Sequence, residues 1–186
     1  MAAGKIYFLE DADVGLRTLE EADADGNYQN WFNDAQVCKY NSHHRFAMAK
    51  EELLAFIRSS HNSRDALILA VEKKETEAHI GNISLQNINY FDRAAEISFI
   101  FGDKANWGQG YAAKAARLLI NHAFLQLGLR RIFFGTSEAN LAMQKVGEKL
   151  GFRREGVRRE ALFKDGRFYD IYEYGLLKEE WECEDV

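Results

Sequence analysis

Residues 107–112 read Trp-Gly-Gln-Gly-Tyr-Ala and run directly into an alanine-rich helical pattern. Two glycines around one residue leave several backbone N–H groups unobstructed at the positive end of a helix macrodipole, a chemistry suited to holding a phosphate. The chain carries a formal net charge of -5, so a polyanion here would be gripped by oriented amides rather than by a basic field. No Gly-Lys-Ser/Thr follows the turn, which excludes an ATP-type phosphate loop, and the glycine spacing is not that of a dinucleotide fingerprint. The densest other group of hydrogen-bonding side chains is Tyr40-Asn41-Ser42-His43-His44. Adjacent histidines do not by themselves share a metal and no third ligand is suitably spaced, so no metal site is expected.

These residues need elements to position them. From Tyr111, small and apolar Ala112, Ala116, Leu119 and Ala123 recur at helical spacing until Gly128. Upstream, residues 66–73, 79–88 and 94–102 are three β-rich runs separated by turn-forming segments, which predicts an antiparallel meander. Period-two alternation puts Glu96, Ser98 and Ile100 on one face of the third run and Ile97, Phe99 and Phe101 on the other. Nearer the N-terminus, alternating Val14 and Leu16 precede Thr18 and Glu21, a capping-box spacing that predicts a strand and then a helix. Leu53, Leu54 and Ile57 predict a second helix, with Glu51 and Glu52 in its first turn. Residues 130–137 read as a strand, and 140–152 as a helix ended by Gly151. The rest reads as a hairpin turning on Asp165-Gly166, with Asp170, Tyr172 and Tyr174 sharing a face of its last strand. The result is one mixed α/β (α+β) domain over residues 1–186.

Composition excludes several classes of function. No run approaches the length of a bilayer-spanning helix, and the N-terminus has no apolar signal core, so a cytoplasmic protein without membrane attachment is expected. The acidic balance argues against a nucleic-acid partner. Cys38 and Cys183 lack metal or redox spacing and read as free thiols.

Residues 94–124 and 137–156, with Glu96, the glycine turn and Asn140 inside them, resemble the GNAT superfamily of acyl-CoA-dependent N-acyltransferases. The resemblance extends over nearly the whole chain and is strongest to the branch that holds the ribosomal-protein acetyltransferases RimJ and RimL and related amino-sugar acetyltransferases. It implies a central, mostly antiparallel twisted sheet, splayed at the cofactor site and flanked by helices, and acetyl-CoA as co-substrate without a metal. The implied diphosphate cradle is Trp107, Gly108, Gln109, Gly110, Tyr111 and Ala112; Trp107 stands where most of the family has Gln or Arg, as in the RimJ/RimL branch. Phe99, Ile100 and Phe101 are implied to pair through their backbone with the pantetheine arm, which Asn140 also contacts, although Asn is equally a helix cap. Lys104, Lys114, Arg117 and Lys145 are candidate partners of the CoA phosphates.

The same resemblance makes Glu96 the candidate general base and an N–H of Phe99 or Ile100 the oxyanion donor. The tyrosine that protonates the departing thiolate in many members corresponds to Gly147, and the serine used by some relatives corresponds to Met143, so water, Ser137 and Tyr172 all stay open as the acid. Acceptor contacts are expected at Tyr40, His43, Asp170 and Tyr172. The implied activity is acetyl transfer straight to a primary amine of a small or nucleotide-linked acceptor such as an amino sugar or polyamine. The alternatives are N-terminal acetylation of a ribosomal protein and a non-catalytic acyl-CoA sensor; a homodimer is an allowed assembly.

Overall fold

Runs of β-branched and aromatic residues separated by short polar turns build one eight-stranded sheet in this computed structural model, which describes residues 5–181. The strands are β1 (Leu9–Glu10), β2 (Val14–Thr18), β3 (Leu67–Lys73), β4 (Ala78–Asn89), β5 (Ala94–Ile100), β6 (Arg131–Ser137), β7 (Arg153–Lys164) and β8 (Arg167–Leu177). Their order is β1-β2-β3-β4-β5-β6-β8-β7, and every neighbouring pair is antiparallel except β5 with β6. The parallel pair requires a crossover, which α3 (Tyr111–Leu125) supplies. The other helices are α1 (Tyr28–Asn33), α2 (Lys50–Ser60) and α4 (Leu141–Lys149).

Both faces of the sheet are covered because the strands carry apolar side chains on both sides. Leu16, Leu69, Val71, Leu85, Ile97, Ile132 and Phe134 join Leu119 and Ala123 of α3 in the larger core, with Met143 and Val146 of α4 at its edge. Ala70 and Ile68 of β3 and Ile100 of β5 meet Tyr28, Trp31, Phe32, Leu53 and Ile57 of α1 and α2 in the smaller one. The turn between β7 and β8 has Asp165 at φ 51 and Gly166 at φ 78, the left-handed pair of a type I′ hairpin.

The N-terminal helix departs from its sequence expectation. The cap is Glu20 rather than Thr18, with the Asp23 carboxylate accepting from the Glu20 N–H at 2.8 Å, and the cap leads into a 3-10 turn over Glu21–Asp25. Arg17 fixes this geometry by donating to both Asp23 oxygens at 2.7 and 2.8 Å. Burial pushes the Asp23 carboxyl up, but the hydrogen bonds from Arg17 and His79 outweigh it and hold the group well below the usual carboxylate range. Only after Gly26 does the six-residue α1 begin.

Candidate active site

The sheet opens at one place. β5 pairs with β6 only through Ala94, Ala95 and Glu96, opposite Arg131, Ile132 and Phe133. Beyond Glu96, β5 continues against β4 alone, while β6 continues against β8 alone. The β6-facing edge of Ile97–Ile100 therefore has no partner strand, and its backbone groups are available to an extended ligand arm. Glu96 stands at the vertex of this fork.

At the far end of β5 lies the glycine turn. Trp107 at φ -69, ψ 148 followed by Gly108 at φ 74 begins a type II turn, and Gly110 at φ 87 is the N-cap of α3. The side chains of the segment fold back onto its own backbone: Trp107 Nε1 donates to Phe101 O and Gln109 Nε2 to Ala105 O, both at 2.7 Å. Asp103 accepts from the Ala105 N–H at 3.1 Å. Among the described residues the N–H groups of Gly108, Gly110, Tyr111 and Ala112 meet no acceptor, and a Cβ built at either glycine would find no atom within 4 Å. Unpaired donors beside open space at a helix start form a cradle whose chemistry suits an anion such as a phosphate. The turn is held from the side of α1: the Trp31 indole occupies the space a Gly102 side chain would need, and Lys104 donates to Asp34 at 2.6 Å.

Glu96 faces the α1 and α2 side of the sheet. A register shift between Gln86 and Asn89 leaves Asn87 at φ 51, and its amide donates to Glu96 Oε2 at 3.2 Å. Ser84, Gln86 and Ser98 share that face through the β4–β5 register, giving a polar row beside the vertex. Gly135 of β6 lies on it too: a Cβ there would be 3.0 Å from Ile171, 3.1 Å from Glu173 Oε1 and 3.2 Å from Arg158 Nη2. Loop 40–46 meets the tip of the β7–β8 hairpin, where Lys164 donates to the carbonyl of His43 at 2.6 Å and Arg45 to that of Phe163 at 3.2 Å.

A family model described as an acetyltransferase (GNAT) domain matches residues 13–153. The chain belongs to the GNAT acetyltransferases. Uncharacterized N-acetyltransferase p20 of Bacillus licheniformis is 31% identical over 168 residues, covering 89% of this chain and 93% of p20. YdaF of Bacillus subtilis strain 168, named as a candidate ribosomal N-acetyltransferase, is 38% identical over 104 residues, 56% of each protein. In fold the chain is similar to the spermidine N-acetyltransferase of Vibrio cholerae crystallised with CoA and spermine, with a TM-score of 0.83 over 91% of this chain and 98% of that one at 24% identity. This GNAT protein is thus an N-acetyltransferase whose acyl donor is acetyl-CoA, on the splayed, mostly antiparallel sheet expected from its sequence.

The GNAT fold brings some sequence candidates together and separates others. Phe99 and Phe101 send their rings into the larger core and Ile100 into the smaller, leaving backbone at the open edge. Asn140 is the N-cap of α4, its side chain accepting from the Met143 N–H at 3.2 Å. Lys114 is paired with Asp13 and Lys104 with Asp34, whereas exposed Lys145 makes no ion pair among the described residues. Gly147 presses α4 onto β6 so closely that a Cβ would lie 2.5 Å from Phe134 Cζ, which explains why no tyrosine stands there.

On the acceptor side, the His43 ring packs edge-on against Phe32 at 4.9 Å; desolvation there and the nearby Lys164 ammonium lower its pKa. Tyr40 packs under Lys39 at 5.2 Å. The β6–β8 register puts Tyr172 and Tyr174 on the face opposite Glu96, Tyr172 beneath Arg154 at 3.4 Å and Tyr174 stacked on Phe134. Asp170 accepts from the Glu160 N–H at 2.8 Å on that same side of β8. Glu173 and Arg158, which sequence reasoning missed, occupy the Glu96 face; the strand alternation separated residues 171 and 173 from 170 and 172 but did not say which set meets Glu96. Cys38 is free and buried, and Cys183 lies outside the described residues.

Proposed function

We propose that this GNAT protein acts in the cytoplasm and moves an acetyl group from acetyl-CoA directly to the primary amine of a small acceptor of the polyamine or amino-sugar type. One observation carries the reading: a single strand joins the two halves of the reaction, with the amide cradle after its C-terminal end and Glu96 at the fork. Glu96 to Ile100 is four residues, roughly 13 Å of extended chain, a span for an extended arm paired with the open edge. In this reading the N–H groups of residues 108–112 hold the diphosphate, the open edge of β5 holds the pantetheine arm, and Asn140 lines the opposite side.

A primary amine with pKa near 10 is only about one part in a thousand neutral at pH 7. Glu96 supplies the missing step by accepting the ammonium proton, directly or through one water, and an N–H of Phe99 or Ile100 meets the negative charge that develops on the carbonyl oxygen. Neither Gly147 nor Met143 can give a proton to the departing sulfur. The likeness in fold to a spermidine N-acetyltransferase supports a small amine, rather than the terminus of a folded protein, as the acceptor.

The test is release of free CoA thiol from acetyl-CoA over a panel of polyamines, amino sugars and ribosomal-protein N-terminal peptides. Release with polyamines or amino sugars is the expected outcome. Peptides alone as acceptors would move the assignment to N-terminal acetylation, and tight CoA binding with no thiol released by any amine would make the protein a sensor.

A further inference from the structure

Two acid–base pairs lie on the Glu96 face of the sheet, joining Arg131 of β6 to Glu155 of β7 and Arg158 of β7 to Glu173 of β8, and they differ in one respect. Arg131 grips Glu155 through both guanidinium nitrogens, one of them at 2.6 Å, over Gly175, so both carboxylate oxygens are taken and the carboxyl is held below its ordinary pKa. Arg158 instead donates through Nε to Glu173 Oε1 alone; Glu173 Oε2 has no partner among the described residues. The Glu173 carboxylate leans across Gly135, the one position of β6 beyond Phe133 on this face where a missing side chain leaves room for it. Phe133 is the residue opposite Glu96, so this carboxylate sits two residues, about 7 Å, further along β6 toward the mouth of the fork.

We infer that Glu173 is a specificity-determining contact for the distal cation of a doubly charged amine whose proximal nitrogen is presented to Glu96. The inference rests on the acetyl-transfer reading and deepens it by naming the acceptor class: an amine carrying a second ammonium one short aliphatic spacer away. Arg158 is the resting counter-ion of Glu173. Its side chain is 64% exposed against 28% for Glu173, so water already competes for the guanidinium and an incoming ammonium displaces or joins it at small cost. A singly charged amine of the same length leaves Glu173 with Arg158 and gains nothing from it.

The experiment compares kcat and KM for 1,4-diaminobutane, 1-aminobutane, spermidine and glucosamine in wild type, Glu173→Gln and Arg158→Gln. In wild type the diamine and triamine exceed the monoamine in kcat/KM. Glu173→Gln is expected to raise KM for the two polycations about tenfold, leave kcat within twofold, and leave KM for 1-aminobutane and acetyl-CoA unchanged. Arg158→Gln is expected to lower the polycation KM, and the wild-type advantage should shrink as salt rises from low to physiological strength. Equal losses for mono- and polycations in Glu173→Gln, or no loss, overturn the inference while leaving acetyl transfer intact. A wild-type protein that acetylates no amine overturns both. Where Glu173→Gln unfolds, the Arg158→Gln arm carries the test, and an unchanged polycation KM there counts against the role.

Discussion

Replacing Gly110 by alanine separates what the turn does for the fold from what it does for the ligand. Gly110 sits at φ 87, where an L residue is strained, yet nothing in the chain lies within 4 Å of the added Cβ. Strain alone therefore sets the effect on stability, about 1 kcal/mol, or roughly 2–4 °C in Tm for a chain of this size. Gly166 at the β7–β8 tip provides a matched control: it has φ 78 and equally open surroundings, but no helix follows it. Both variants should lose similar Tm. On the proposed placement of the diphosphate, only Gly110→Ala should weaken CoA, by tenfold or more, because the methyl group would stand in that space and tilt the neighbouring N–H groups away. Thermal melts with isothermal titration of CoA measure both quantities. Full CoA affinity in Gly110→Ala, or an equal loss in Gly166→Ala, would refute the cradle.

Three further outcomes are expected from the same geometry. Glu96→Gln should lower kcat by about 10²–10³ at pH 7, with the deficit narrowing tenfold per pH unit as the amine deprotonates by itself; a deficit constant from pH 7 to 9.5 would make Glu96 a binding group, as initial rates over that range can decide. Gly147→Ala places a Cβ 2.5 Å from Phe134, which is stacked on Tyr174 and cannot swing aside, so overpacking should cost about 1–3 kcal/mol in urea denaturation, and Phe134→Leu should relieve it. Asp23 has its folded pKa depressed, so its contribution to stability is present above the unfolded carboxylate value near 4 and is lost as pH falls below it. Asp23→Asn should accordingly cost about 3 kcal/mol at pH 7, leaving Arg17 a weaker partner, and less at pH 3.

Local chemistry was readable directly from the chain. Asp165-Gly166 specified its own turn, the glycines before Tyr111 specified an open turn at the start of α3, and alternation in β5 separated Glu96 from Phe99 without any tertiary information. What could not be read depended on contacts between distant segments. His79 of β4 joins Arg17 on Asp23, whose carboxylate accepts from the Glu20 N–H at the start of the 3-10 turn, a contact that local capping signals do not contain. The insertion of β6 between β5 and β8 decides which parity of β8 faces Glu96, so Glu173 rather than Asp170 or Tyr172 shares its side. Gly147 looked like a missing acid; the ring of Phe134 beneath it shows it to be a close-packing position.

Titration of the isotope-labelled protein with CoA, monitored through backbone amide resonances, probes the cradle most directly. The largest shifts should fall on the amides of residues 108–112, with a second group at Ile97–Ile100 along the open edge of β5. If those amides stay in place while CoA binds, the diphosphate is held elsewhere and the placement of the thioester beside Glu96 is wrong.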